Sequence, residues 1–515
     1  MLFDNWLYRE STYIFKIYFG LFVLSCVFLS IMHLFTKFEL KFDTYSSRTV
    51  FMNFKSYVLI FVSLNSIINL CLVFMFNNLN YNFFKYEIDQ LMFNTTTHLL
   101  ISNIVSIPFF NITTFSLTKF NLSFILLFSL LYPIIFSFLS YDLNCYTTDM
   151  YLRLYYIFFL SYTILVVENI ILFYFAYELL LLLVYSAMML SSNSRGSVEA
   201  SLFYLGWAIL GSIFVGLGFL ILILKTNYTY FFNLRDNKLT YNETYYIYLL
   251  LFFGFGIKLS VWPFWYWLPK AHVEVSTGMS IFLSCILIKL SLFSLLRLQH
   301  CLLSEIPLNI CIFVSALCAF DIVFRFANLQ DLKAMIAYGS VLHTNLLVVL
   351  IHLDSFRSIK NSIFYIWGHS LSTTTLFIIV NLIETRYSSR NILNVTGLWY
   401  TSPLLAKFSV ISLLSFLDIP LTLFFWGEIY LWESFIFSFL TIAAQVMVLV
   451  SIIFMSIFFK VWWNVLFGTP DSSIKLISFN DLNYDTNFCL LWLNVVQIIL
   501  GFQPNLLSFL CGFYI

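Results

Sequence analysis

The chain has 515 residues, 61% of them hydrophobic and 10% charged, with a formal net charge of +1. An ordinary soluble domain carries about 25% charged residues. Too little charge is present to coat a soluble particle, so lipid must cover much of the surface, and the balanced charge gives no field for nucleic acid.

About 20 apolar residues carry a helix across the hydrocarbon core. By that length the sequence predicts spans near 14–35, 56–77, 121–140, 152–168, 170–190, 201–224 and 245–267. Further spans follow near 278–298, 308–327, 331–353, 361–384, 404–433, 435–460 and 487–511, about 14 in all. The segment 99–117 contains Asn103, Pro108 and Asn111, and either spans or does not. Polar connections near 37–55, 77–94, 191–199, 225–243, 387–401 and 467–487 are too short for a second domain. The expected fold class is therefore all-α, a polytopic transmembrane bundle. Asp4, Arg9, Glu10 and Lys16 precede the first apolar run without a convincing cleavage site, so the first span is expected to stay in the mature chain. Lys and Arg fall on both kinds of loop and set no orientation.

Two spans carry breakers. The seventh contains Pro263, closely followed by Pro269, and the stretch 404–433 contains Asp418, Pro420 and Gly427. Proline removes a helix donor and clashes with the preceding turn. In lipid the freed carbonyls need partners within protein or beside a water-filled cavity. Such breaks are either packing kinks or, when paired in two halves of a membrane protein, markers of a midplane site.

Ionisable residues inside apolar spans are the decisive feature: Glu178, Lys258, Lys289, His343, His369 and Glu428. A charge at a bilayer centre costs at least about 2.5–3.5 kcal/mol. Singly, each has a plain reading: a clamping glutamate, a snorkelling lysine, a hydrogen-bonded histidine. Together, acids, bases and imidazoles are what a proton path needs. Lys225 and Lys460 sit at helix ends and are expected to snorkel, while Glu168, Arg195 and Glu199 are expected at membrane boundaries. Asp321 and Arg325, four apart, share a helix face and read as an internal pair.

The nine cysteines form no CxxC pair and read as small apolar residues rather than metal ligands. The sequence has no GxGxxG or Walker A loop and no bis-histidine pattern for haem. No cofactor and no redox chemistry are expected in this chain itself.

The stretch Gly254–Leu298 reads GFGIKLSVWPFWYWLPKAHVEVSTGMSIFLSCILIKLSLFSLLRL. With its core WLPKAHVE, it resembles the signature segment of the subunit 4 branch of the antiporter-like family. That family is shared by respiratory complex I and Mrp-type cation/proton antiporters. FYFAYELLLLLVY around Glu178, RGSVEASLFYLGWAILGS from Arg195 and LQDLKAMIAYGSVLHTNL also match. So do WGHSLSTTTLF around His369 and FFWGE ending at Glu428. The resemblance runs through about 170–435 and is weak over the first 120 and last 60 residues.

The resemblance implies two inverted five-helix repeats with broken helices: weakly matched helices over 1–120, a first repeat over 121–298, a second over 299–460, and a last loop and helix over 461–515. It implies that Glu178 and Lys258 pair, that Lys289 is the central relay lysine, and that His343 and His369 continue the relay. Glu428 would be its terminal acid. It further implies a proton-translocating membrane-arm subunit in the mitochondrial inner membrane, beside complex I subunits 2 and 5 and lipids. Flavin, iron–sulfur clusters and ubiquinone would lie in partner subunits. An Mrp-type antiporter subunit is the alternative. The family often places a histidine where this chain has Trp265, whose indole cannot accept or relay a proton. Asp321 and Arg325 are also outside the family pattern.

Overall fold

The computed structural model describes residues 119–142, 148–191, 194–231, 233–234, 239–302, 308–353, 357–438, 441–469 and 481–510, together with Val58 and 62–66. The expected span 14–35, the candidate 99–117 and most of 56–77 lie outside the described residues. Among the described residues the regular structure is helical, and nine helices are long and apolar enough to cross a membrane. Contacts divide the chain into two compact units: Met1–Val198 with Thr226–Asn237 and Asn505–Ile515, and Glu199–Lys225 with Lys238–Pro504.

In the first unit, α1 (Lys119–Asp142), α2 (Thr148–Val166) and α3 (Ile170–Ser191) pack in sequence order. Tyr132 and Ser161 share a hydrogen bond of 2.7 Å, and the Tyr132 ring lies edge-on to Phe158 at 4.4 Å. Arg153 donates to the Ser186 carbonyl at 2.9 Å, spending its charge on a helix rather than on lipid. Asn169 starts α3: its side-chain oxygen accepts the N–H of Ile171 at 2.9 Å and of Leu172 at 3.2 Å. That caps two orphan donors of the first turn. On the other side of α3, Ile171, Phe175, Leu179 and Leu182 form an exposed stripe at helical spacing, as a lipid-facing surface requires.

The long α4 (Arg195–Thr226) begins in the first unit and continues in the second. Then follow α5 (Tyr241–Leu259), α6 (Trp267–Glu274) and α7. The last is one rod made of Thr277–Phe282, a π-helical turn Leu283–Leu287 and Ile288–Cys301. Next come α8 (Leu308–Phe326), α9 (Leu332–Leu353), α10 (Arg357–Tyr387) and the short α11 (Leu398–Thr401). The chain continues with α12 (Pro403–Phe416), α13 (Leu423–Ser438), α14 (Thr441–Phe467), α15 (Tyr484–Phe502) and α16 (Pro504–Leu510). The apolar windows of α7 and α10 are wholly buried and that of α9 nearly so, whereas α8, α14 and α15 are largely exposed. The second unit therefore has three enclosed helices, α7, α9 and α10, packed among more exposed ones.

The seventh predicted span is two helices. α5 stops at Leu259, Ser260 takes the left-handed conformation (φ 58°), and helix resumes at Trp267. The freed carbonyls are met by side chains, as expected for a break in lipid. Trp267 Nε1 donates to Ile257 O at 2.7 Å, Thr344 Oγ1 to Leu259 O at 3.4 Å, and Asn345 Nδ2 to Ser260 O at 3.3 Å. The stretch 404–433 is likewise two helices, α12 and α13. Its break runs over Leu417–Thr422, with Asp418 (φ 54°) and Leu421 (φ 84°) left-handed. Gly427, expected at the break, lies inside α13: it permits a close crossing rather than a turn. A Cβ there would stand 2.7 Å from Tyr365 Cα, and one on Gly368 would meet Phe424 in return.

Candidate functional site

Three of the predicted residues come together on the three enclosed helices. Lys289 on α7 is fully buried, and its Nζ reaches two acceptors: Ser284 O at 2.8 Å and His369 Nδ1 on α10 at 2.7 Å. Ser284 lies in the π-helical turn, where the backbone ladder is displaced by one residue, a feature frequent at functional sites. No residue type announces this turn in the sequence. An ammonium only donates, so with Lys289 charged His369 Nδ1 must accept and Nε2 carry the proton. Beside it stands His343 on α9, with the two imidazole rings 5.7 Å apart. His343 Nδ1 lies 3.0 Å from the Tyr365 hydroxyl. The line Lys289–His369–His343–Tyr365 thus joins α7, α9 and α10 through groups that can each give and take a proton.

Apolar rings close around His343. Phe416 and Phe424 lie 4.9 Å from it and Phe454 5.5 Å, and Phe424 also touches Tyr365 at 4.7 Å. Phe416 and Phe424 come from the two sides of the second break, which therefore walls off the imidazole.

Glu428 lies one turn into α13, with the Asp418 carboxyl of the break and the Trp432 side chain beside it. Two neighbouring carboxyl groups repel when both are ionised, so the Asp418–Glu428 pair is suited to holding one proton in common. Asp418 was legible as a residue of the break but not as a partner of Glu428. His272 on α6 also went unassigned. It is fully buried, stacks on Phe377 at 5.3 Å, and leaves both ring nitrogens without a hydrogen bond. Lys333, at the start of α9, donates to Val275 O at 2.6 Å just beyond the end of α6.

The remaining two predicted residues lie on other helices. Lys258 is buried in the last turn of α5, directly before the first break. Glu178 is half-buried on α3, in the first unit.

Trp265, Asp321 and Arg325 form one cluster. Trp265 Nε1 donates to Asp321 Oδ2 at 3.2 Å, Arg325 Nε donates to Asp321 Oδ1 at 3.1 Å, and Arg325 Nη2 donates to the Tyr266 hydroxyl at 2.7 Å. The guanidinium lies 5.1 Å from the Trp265 ring and 5.0 Å from the Tyr266 ring. Asp321 and Arg325 are thus more than an i,i+4 pair: they fasten the segment between α5 and α6 to α8. At the other end of α4, Lys225 reaches Glu243 at 2.7 Å, in keeping with a lysine that stays at the membrane boundary.

Residues 167–462 match the family described as NADH:quinone oxidoreductase/Mrp antiporter, transmembrane. NADH-ubiquinone oxidoreductase chain 4 of Paramecium tetraurelia is 33% identical over 337 residues, covering 64% of this chain and 70% of that relative. NADH-quinone oxidoreductase subunit M of Rickettsia typhi is 27% identical over 343 residues, covering 65% and 69%. Among solved structures, a chain of the Mrp complex from Dietzia sp. DQ12-45-1b superposes with a TM-score of 0.77 at 18% identity, covering 95% of this chain and 96% of that one. A chain of respiratory complex I from Thermus thermophilus with bound NADH gives 0.69 at 18% identity, over 78% and 84%. At these identities the structural likeness speaks for the fold alone.

Proposed function

Because the chain belongs to the NADH:quinone oxidoreductase/Mrp antiporter family, we propose that it is a proton-translocating membrane-arm subunit of respiratory complex I, the counterpart of chain 4. It works as part of an NADH:ubiquinone reductase and moves protons while electrons pass elsewhere in the complex. The observation that carries this reading is the line from Lys289 through His369 and His343 to Tyr365, set on the three enclosed helices. Lysine and imidazole side chains can each hold and release a proton, as members of a relay must. Over the same residues, the Glu178–Lys258 pair would be the switch that sets when Lys289 lets its proton go, and the Asp418–Glu428 pair the end of the line.

The two breaks, after α5 and after α12, and two matching starts support two repeats. α3 begins at Asn169, which bridges to Tyr230, and α9 at Asp331, which bridges to Asn391. Asp331 also accepts the Lys333 N–H, as Asn169 accepts that of Ile171. Other membrane-arm subunits are the partners, with subunits 2 and 5 as the neighbours we infer and the mitochondrial inner membrane as the location. Flavin, iron–sulfur clusters and ubiquinone belong in this reading to other subunits. The curated relatives at 27–33% identity carry complex I names, which favours this reading over a free-standing antiporter. Purification through a tag on this chain tests it: NADH dehydrogenase activity should co-elute and, after reconstitution in vesicles, pump protons. Elution without that activity sinks the reading.

A further inference from the structure

α12 and α15 run side by side in the same direction. At one end Asp481, just before α15, accepts the N–H groups of Leu404 and Leu405 in the first turn of α12. At the other end Gly501 abuts Leu421 and Thr422, so that a Cβ on it would strike the Leu421 carbonyl, and its own carbonyl accepts Trp426 Nε1 at 2.7 Å. These two anchors fix the register. Counted from these anchors, Gln497 falls level with Asp418, and Asn494, one turn earlier on the same buried face, level with Ser415.

Gln497 and Asn494 are 1% and 2% exposed, and neither amide has a hydrogen-bond partner on its oxygen or its nitrogen. Burying an amide without partners is costly. Buried polar groups of this kind are met by ordered water where no side chain serves. The buried side of α12 is polar. Ser409, Ser412 and Ser415 on α12 are buried at every third position, each hydroxyl donating to the carbonyl three residues back and keeping its lone pairs. The series continues into Asp418, whose Oδ1 is buried and unbonded. At the far end Ser402 Oγ is likewise buried and unbonded, beside the Asp481–Arg386 ion pair at 3.6 Å, which is slightly open to solvent.

We propose that Asn494 and Gln497 are water-holding residues: they seat a file of water in the seam between α12 and α15, along which protons pass between the Asp418–Glu428 pair and the Asp481–Arg386 end. The proposal rests on the proton-translocating reading above and adds to it a route and two residues that do not themselves titrate. A hydroxyl, an amide and a water can each accept one hydrogen bond while donating another, which is what a proton file requires of its walls. Asn494 and Gln497 act through water and are positioning residues.

The test uses the assembled complex. Asn494→Leu with Gln497→Leu removes the unbonded amides at similar volume, a change a merely structural role would tolerate or welcome. Intact complex should form at the unsubstituted level, and reconstituted proton pumping should fall roughly tenfold. Asn494→Ser with Gln497→Asn, which keeps hydrogen-bonding groups in place, should restore pumping. High-resolution cryo-electron microscopy of the unsubstituted complex should show ordered water bonded to both amides. A dry seam, with the amides bonded to protein, overturns the proposal, as does a Leu pair that pumps at the native rate. An unsubstituted complex that pumps nothing instead overturns the functional reading itself, whatever the seam contains.

Discussion

Lys289 Nζ and His369 Nδ1, 80 residues apart in sequence, meet at 2.7 Å between α7 and α10. Each is fully enclosed. If the lysine must release its proton to the imidazole, side chains that hold a permanent charge or none should both fail. Lys289→Met and Lys289→Arg are each expected to lower reconstituted proton pumping roughly tenfold or more. The guanidinium keeps its proton at any accessible pH. Native pumping by the arginine variant would show that titration at this position is not needed.

The Gly368–Gly427 crossing holds α13 against α10. Gly427→Val drives a branched side chain into the Tyr365 backbone and displaces Glu428, the next residue. Overpacking of this kind costs about 1–3 kcal/mol. The expected outcome is a lower thermal midpoint of the isolated complex and a larger loss of pumping than of complex yield. An unchanged midpoint would mean that the helices part without cost.

Trp265, Asp321 and Arg325 act as one clamp on the first break. An exposed ion pair alone contributes about 0.2–1 kcal/mol, but here the carboxylate also holds a buried indole. Asp321→Ala should therefore destabilise more than Arg325→Ala in thermal unfolding of the complex, and the double variant should lose less than the two single losses added. Additive losses would show the three groups to be independent.

Glu178 and Lys258 are each expensive in a low-dielectric interior, and each would stabilise the other's charge if adjacent. Glu178→Gln and Lys258→Met should impair coupled turnover to a similar degree, and the double change should cost much less than their sum. The measurement is NADH-driven pumping across the four members of the cycle. Full additivity would count against the pair.

Much of this was legible in the sequence because lipid makes polarity costly. Mid-span Lys289, His343 and His369 could not be bland surface residues, and the structure joins them. Pro263 and Pro420 announced the breaks, since proline can only end or kink a helix. Other features left no local signature. The π-helical turn before Lys289 is encoded by no residue type. Asp418 was visible in the break, but its place beside Glu428 depends on how the chain reverses between α12 and α13. Trp265 looked like a defect in a relay because its partner lies 56 residues away. Asn494 and Gln497 passed as ordinary members of an apolar span, since an amide carries no charge to flag it.

The first break is lined by protein donors: Trp267, Thr344 and Asn345 reach the carbonyls of Ile257, Leu259 and Ser260. A gap sealed in this way does not need solvent to keep its shape. Water could enter or leave the neighbourhood of Lys258 during turnover while the backbone stays as it is, so wetting and folding are uncoupled there. Motion at this point can then be confined to side chains and solvent, which rearrange faster than a helix can be unwound and rebuilt.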